Sequence, residues 1–154
     1  MTEQSDEAVL ELPKEPKQPT VLVIDQDEVN LRVIKQVLGD LYEVVTTTNA
    51  RDAFRIVDDC PIKVIIADHD LPRMTGIRFF QELEETGNHS TRIIMTDFEH
   101  HREVEGALDK HQIFFILIKP VDVIRLKSEV NKAVGDFDDR GGRPRGRSYR
   151  SIDD

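Results

Sequence analysis

The sequence predicts an α/β fold, an open and doubly wound sheet of five parallel strands with helices on both faces. Segments typical of strands and segments typical of helices alternate five times along the chain. The strand segments include unbroken apolar runs such as residues 21–24, which is typical of strands buried on both faces. Because parallel strands need right-handed crossover connections, five such units predict a parallel sheet covered by helices on each side.

The first two units are identified by apolar spacing and by helix caps. The strand at 21–24 precedes a helix that is expected to stop at Gly39. The second strand spans 42–47, and Asn49 is expected to cap the helix that follows. The residues predicted to face the core are Val29, Val33, Ile34, Val37 and Leu38 in the first helix and Ala53, Phe54 and Val57 in the second.

The remaining units follow the same alternation, with strands predicted at 62–67, 92–95 and 113–118. The third helix should end at Gly87, the fourth should cover 99–109, and the fifth should begin at a cap on Asp122 and end at Gly135. Their predicted buried faces hold Ile77, Phe80 and Leu83, then Val104, Ala107 and Leu108, then Val123, Leu126, Val130 and Val134. Phe114 and Phe115 are expected to pack in the core.

Composition divides the 154 residues into one domain between two polar ends. Residues 1–19 hold three prolines among charges and are predicted to be a disordered extension, residues 20–134 the folded domain, and 135–154 a disordered Arg/Gly-rich tail. Too few residues follow 134 to form a second module, so no further domain is expected in this sequence. A longer parent protein would change that expectation.

Charge and cysteine content exclude several classes of protein. The net charge of −9 argues against a nucleic-acid binder, although the tail carries five arginines. Cys60 is the single cysteine and is expected to pack near a helix end, so no disulfide within the chain forms. The sequence has neither a run of roughly 20 apolar residues nor a secretory signal, so we expect a cytoplasmic protein without membrane contact.

Four polar side chains fall at the carboxyl ends of predicted strands, namely Asp25, Asp68, Thr96 and Lys119. Open α/β sheets bind ligands beyond those ends, so the four groups are predicted to converge. Carboxylates suit Mg²⁺, and an aspartate can attack phosphorus. An ammonium and a hydroxyl can stabilise phosphoryl oxygens. The set therefore predicts a phosphoryl-transfer site.

Over residues 20–134 the chain resembles the receiver domains of two-component response regulators, of the chemotaxis-regulator type. The motifs that carry the resemblance are VLVIDQDEVN at 21–30, VIIADHDLPRMTG at 64–76, IIMTD at 93–97 and FILIKP at 115–120. It implies a flavodoxin-like (βα)5 sheet with strand order 2-1-3-4-5. It also implies that a histidine kinase's phosphohistidine passes its phosphoryl group to Asp68.

The resemblance also implies roles for individual residues. Thr96 matches a hydroxyl that moves toward the phosphoryl group, and Lys119 matches the lysine that pairs with that group. The peptide bond before Pro120 is usually cis in the family. Mg²⁺ would be held by Asp25, Asp68, the backbone carbonyl of Asp70 and, weakly, Gln26.

Three positions depart from the family pattern. Gln26 stands where the family has a second acid, and the lost charge removes at most about 3 kcal/mol of attraction per unit of cation charge. Asp97 replaces a small residue, so its carboxylate either enters the phosphoryl site or turns outward as a cap. Ile116 replaces an aromatic ring that is coupled to the threonine in the family.

Other residues leave alternatives open. The neighbouring His100 and His101 lack metal-ligand spacing and are expected at the surface. The triplet Asp68-His69-Asp70 also resembles the nucleophile motif of haloacid-dehalogenase-type phosphatases, for which this chain is short. A pseudo-receiver, acting as a binding or scaffold module without phosphorylation, is the main alternative because of Gln26 and Asp97.

The resemblance implies signalling partners. A sensor histidine kinase or a phosphotransfer protein would supply the phosphoryl group, and the fourth helix, fifth strand and fifth helix would contact a downstream protein. Phosphorylation-induced homodimers are frequent in the family. The expected role is signalling, in which the receiver assists its own phosphorylation and dephosphorylation without acting as an enzyme.

Overall fold

The computed structural model describes residues 18–106 and 113–144. The predicted extension, except for residues 18 and 19, and the tail beyond residue 144 lie outside this range, as do residues 107–109 of the predicted fourth helix. The strands are β1 (Thr20–Ile24), β2 (Glu43–Thr47), β3 (Val64–Asp68), β4 (Asp70–Leu71), β5 (Met74–Thr75), β6 (Thr91–Thr96) and β7 (Ile113–Ile118). The helices are α1 (Glu28–Leu38), α2 (Ala50–Asp59), α3 (Gly76–Glu85), α4 (His101–Glu105) and α5 (Val123–Arg140).

The predicted fold class is confirmed. Five strands form one parallel sheet in the order β2-β1-β3-β6-β7, which is the predicted order 2-1-3-4-5. The antiparallel pair β4–β5 is an addition that the sequence did not predict. Its turn contains Arg73 at φ 71°, in the left-handed region.

Two apolar cores lie on opposite faces of the sheet. One face packs against α1 and α5 through residues such as Ile34, Leu38 and Val130. The other packs against α2, α3 and α4 through residues such as Ala53 and Phe80. The strands contribute alternate side chains to the two cores, as the pleat requires. Phe114 and Phe115 are buried as expected, and Cys60 is buried at the end of α2.

Helix caps fix the start of four helices. Asp27 accepts hydrogen bonds from the backbone N–H groups of Val29 and Asn30 and thereby caps α1. Asn49 and Asp122 cap α2 and α5, as predicted, and Thr75 caps α3. These caps fix where each helix begins after the carboxyl end of the strand before it.

The predicted inner face of α1 is partly wrong. Val29 and Val33 are exposed, whereas Leu31, Ile34 and Leu38 are buried. The buried residues are spaced three and four apart and form one stripe, and the two valines form a neighbouring stripe. Val123, the first residue of α5, is likewise exposed.

The prediction that the last helix ends at Gly135 is wrong, and so is the assignment of residues 135–140 to a disordered tail. Helix α5 continues to Arg140, where Gly141 adopts a left-handed φ of 64°. Its last turns are bound to the sheet: Lys63 Nζ lies 2.7 Å from Asp138, and Arg140 donates to Thr91. These contacts outweigh the weak helix propensity of glycine.

Within the described residues, no helix combines the length and the apolar character that crossing a bilayer requires.

Candidate functional site

The four predicted site residues lie at the same end of four adjacent strands. Asp25 follows β1, Asp68 ends β3, Thr96 ends β6, and Lys119 follows β7. Because these strands are neighbours in the order β1-β3-β6-β7, their carboxyl ends bring the side chains to one rim of the sheet.

Lys119 joins the two carboxylates. Its Nζ lies 3.1 Å from Asp25 Oδ2 and 3.0 Å from Asp68 Oδ2. The Asp25 side chain has no exposed surface, and the Asp68 side chain is 7% exposed. The Lys119 backbone N–H donates to the carbonyl of Thr96 at 2.8 Å, and the following peptide bond to Pro120 is cis.

The pKa values of Asp68 and Lys119 reflect their burial and the charges around them. Burial raises the pKa of Asp68, and the nearby charge of Asp25 raises it further, although the hydrogen bond from Lys119 opposes both effects. Burial alone would lower the pKa of Lys119, but the hydrogen bond and charge of Asp68, together with Asp25, outweigh burial and raise that pKa. Lys119 therefore stays protonated as the counter-ion of the site.

Asp25 is held by Asp27 and Asn30, and the sequence assigned Asn30 no role. Its Oδ1 accepts the backbone N–H of Asp27 at 2.9 Å, and its Oδ2 accepts the side-chain amide of Asn30 at 2.6 Å. Asn30 lies in the first turn of α1, where the cap on Asp27 directs the helix back toward the carboxylate. The position of Asn30, three residues after the Asp27 cap, is the signal in the sequence that could have identified Asn30 as a partner of Asp25.

Gln26 lies in the site, but its side chain acts as a hydrogen-bond donor, whereas the sequence predicted a weak metal ligand. Its Nε2 donates a hydrogen bond to the backbone carbonyl of Asp70 at 3.0 Å. That carbonyl is the oxygen expected to bind a metal. The amide therefore satisfies the Asp70 carbonyl with a hydrogen, where a second acid would have added negative charge.

Asp97 lies at the cleft over Asp68, and its carboxylate is hydrogen-bonded to the next turn of chain. Its Oδ1 accepts the backbone N–H of His100 at 2.8 Å, and the His100 ring nitrogen Nδ1 lies 2.8 Å from the same oxygen. Neither alternative holds in full, because the carboxylate caps the turn before α4 and not the helix itself, while the residue still lines the cleft. His100 is exposed and His101 partly exposed, in accord with their predicted surface position.

The exposed pair of Asp97 and His100 predicts a measurable shift in titration. The Asp97 hydrogen bond and charge hold the pKa of His100 above its ordinary value. Because the folded pKa is raised, the pair's contribution to stability is complete below the unfolded pKa and is lost as pH rises through the folded pKa. A histidine NMR titration should show the pKa of His100 falling toward its ordinary value in Asp97→Asn, because the nearby Glu99 and Glu103 still raise it. An unchanged titration in that variant would contradict the pairing.

His69 was not assigned a role from the sequence, yet it is buried beside Asp68. Its Nε2 lies 3.5 Å from Glu103 Oε2, which links the end of β3 to α4. Ile116 is buried on the sheet face opposite to Phe115, so neither residue places an aromatic ring at the position that the family couples to the threonine.

A cleft of about 550 Å³ opens over Asp68. The residues lining it are Asp68, His69, Asp70, Thr75, Thr96, Asp97, His100, Glu103 and Lys119. Asp68 thus lies at a recess that a phosphoryl group can enter, with Lys119 and Thr96 on its walls.

The predicted metal ligands do not fit a divalent cation well in this arrangement. Mg²⁺ requires oxygen ligands in near-octahedral geometry, but the oxygens of Asp25 and the carbonyl of Asp70 already accept N–H donors. At the edge of the same cleft, the exposed residues Asp97, Glu99 and His100 bring potential ligand atoms within 4.8 Å of one another. None of these three residues was predicted as a metal ligand.

Known proteins that are similar to this chain have the fold described above. The model of the response regulator receiver domain matches residues 21–131. The chain is 25% identical over 127 residues to the hydrogenase transcriptional regulatory protein HoxA of Cupriavidus necator, covering 79% of this chain and 26% of HoxA. It is 29% identical over 68 residues to the sensor histidine kinase RcsC of Salmonella typhimurium, covering 44% of this chain and 7% of RcsC.

The chain therefore spans about a quarter of the length of HoxA and less of RcsC. Among solved structures, a response regulator receiver domain protein from Clostridium thermocellum superposes with a TM-score of 0.72 at 28% identity. That superposition covers 78% of this chain and 97% of the other.

Proposed function

Because the chain belongs to the response regulator receiver domain family, we propose that its Asp68 accepts a phosphoryl group from the phosphohistidine of a sensor histidine kinase or a phosphotransfer protein. The observation that supports this proposal most strongly is the contact of Asp68 with Lys119 at 3.0 Å, at the base of an open cleft. The carboxylate is thereby oriented, reachable and paired with one positive charge.

The transfer would be a displacement at phosphorus. An Asp68 carboxylate oxygen forms the new O–P bond while the P–N bond to the donor imidazole breaks, and the imidazole nitrogen keeps the electron pair and gains a proton. Lys119 offsets charge on the phosphoryl oxygens, and the Thr96 hydroxyl donates a hydrogen bond to one of them. The product is an aspartyl phosphate, formed once per signal without multiple turnover.

We propose that the signal leaves through the face formed by α4, β7 and α5. This face carries exposed apolar side chains, namely Phe98 before α4, Ile118 at the end of β7 and Ile124 in the first turn of α5. Apolar side chains that face solvent gain free energy when a protein contact buries them. The partner would be a protein of the cytoplasm or a second copy of the receiver, and not nucleic acid.

Intact-mass measurement tests the phosphoacceptor. After incubation with a small acyl phosphate, the wild-type chain should gain the mass of one phosphoryl group, and Asp68→Asn should gain none because its amide is not a nucleophile. Asp139→Asn, a change of the same type at an exposed position near the end of α5, should behave as wild type. A gain of the same size in Asp68→Asn would overturn the assignment.

A second candidate function is a binding module that works without phosphorylation. The Gln26 amide on the Asp70 carbonyl favours it, because an acid expected to assist phosphoryl transfer is replaced by a neutral donor. No mass gain in the wild type at saturating donor, with a folded protein verified by circular dichroism, would favour this candidate over the first.

A further inference from the structure

We infer that the Gln26 side-chain amide takes the place of a divalent cation at the rim of the cleft, so that the pocket is set by protein donors and does not respond to Mg²⁺. This inference goes beyond the proposed function. It concerns the unphosphorylated pocket alone, and so it does not depend on whether Asp68 can accept a phosphoryl group.

The first support is the direction of the Gln26 hydrogen bond. The Gln26 Nε2–H group donates to the Asp70 carbonyl oxygen, 3.0 Å away, and so its partially positive hydrogen faces that oxygen. A cation at the same oxygen must displace the amide. Turning the amide so that Oε1 faces inward would set two carbonyl oxygens against each other and lose the hydrogen bond.

The second support is that the two carboxylates already have protein donors. Asp25 is fully buried and accepts Asp27 N–H, the Asn30 amide and the Lys119 ammonium. Asp68 accepts the Lys119 ammonium at 3.0 Å. The ammonium lies between the carboxylates and supplies the positive charge that a cation would otherwise supply, and it would repel a second cation nearby.

The third support is that the acid next to position 26 is already used as a helix cap. Asp27 is the nearest candidate along the chain, but its Oδ1 accepts the backbone N–H groups of Val29 and Asn30 and caps α1. Turning Asp27 toward a metal would strain or break that cap and so destabilise the start of the helix. The helix cap therefore holds the Asp27 carboxylate toward α1.

Paramagnetic NMR tests the inference with Mn²⁺ as the probe and no phosphoryl donor present. In the wild-type chain, Mn²⁺ should not preferentially broaden the backbone amide signals of Asp68 and Asp70. Gln26→Glu, which keeps the side-chain length and adds the charge, should show that broadening with at least about tenfold tighter binding. Gln36→Glu adds the same charge on the exposed surface of α1 and should behave as wild type.

Three results would overturn the inference. Broadening at Asp68 and Asp70 in the wild type, at an affinity equal to that of Gln26→Glu, would show that the amide does not exclude the cation. No broadening in either protein would show that Gln26 is not the residue responsible. Tight binding in Gln36→Glu would show that net charge alone decides.

Asp97 and His100 also line the cleft, so Mn²⁺ held by the cluster of Asp97, Glu99 and His100 would broaden the same amides. The comparison is therefore made with Asp97→Asn and His100→Gln present in every protein, which removes two of the three ligands of that cluster. Because no phosphoryl donor is present, none of these results bears on Asp68 as an acceptor.

Discussion

Gly76→Ala is expected to lower the free energy of unfolding by about 2–4 kcal/mol, because a methyl group has no room at this position. A Cβ on residue 76 would lie 2.6 Å from the backbone oxygen of Asp68, 3.0 Å from Ile94 Cδ1 and 3.1 Å from His69 Cα. The backbone oxygen belongs to the last residue of a central strand and cannot move aside without disturbing the sheet. For a domain of this size, the change corresponds to a fall of about 5–15 °C in Tm.

Gly135→Ala is the matched control for that experiment. Gly135 lies inside α5, and a Cβ there meets nothing within 4 Å. Alanine is favoured over glycine in a helix interior, so this variant should be more stable than wild type by about 0.5–1 kcal/mol. Thermal unfolding followed by circular dichroism measures both variants. Equal stability of Gly76→Ala and wild type would contradict the close approach of α3 to the end of β3.

Lys119→Met is expected to destabilise the protein by about 2–4 kcal/mol near pH 7.5. The ammonium contacts two carboxylates and offsets part of their charge, and Asp25 has no exposed surface. Removing it leaves like charges facing each other in a buried pocket. Lys119 is itself 27% exposed, so solvent screens part of the effect, and the expected loss is below that of a fully buried pair.

The loss should shrink as the solution becomes more acidic. The pKa of Asp68 is already raised by burial and by Asp25, and Lys119 is the group that opposes this rise. Because the pKa of Asp68 is raised in the folded state, the contribution of Asp68 to stability is complete below its unfolded pKa. That contribution is lost as the pH rises through the folded pKa. Protonation of Asp68 at pH 5 should therefore recover part of the stability of Lys119→Met.

Chemical denaturation at the two pH values measures this dependence. Lys127→Met removes an exposed lysine from α5 and should change stability by no more than about 0.5 kcal/mol at either pH. A Lys119→Met variant as stable as wild type at pH 7.5 would mean that the two carboxylates do not face each other across that ammonium.

The sheet and the site were predictable for the same reason. Apolar runs identify the parallel strands, and the rule that ligands bind at the carboxyl ends of such strands selects Asp25, Asp68, Thr96 and Lys119 without knowledge of their distances. The caps Asn49 and Asp122 were also predictable, since their effect is local and acts within three residues.

Long-range contacts account for what the sequence did not predict. The bond from Gln26 to Asp70 spans 44 positions, and nothing local indicates whether the amide presents its oxygen or its nitrogen. The last turns of α5 are held by Lys63 and Thr91, which are far away in sequence, so Gly135 was a misleading stop signal. The exposure of Val29 depends on which stripe of α1 meets the sheet.

Reductive trapping of the phosphorylated chain tests the central claim most directly. Borohydride converts an aspartyl phosphate into a reduced side chain that peptide mass spectrometry can locate. After treatment with an acyl phosphate, we expect the reduced residue at position 68, with Asp25, Asp70 and Asp97 unmodified. Reduction at another position, or an unmodified Asp68 in a chain that has gained the phosphoryl mass, would contradict the account.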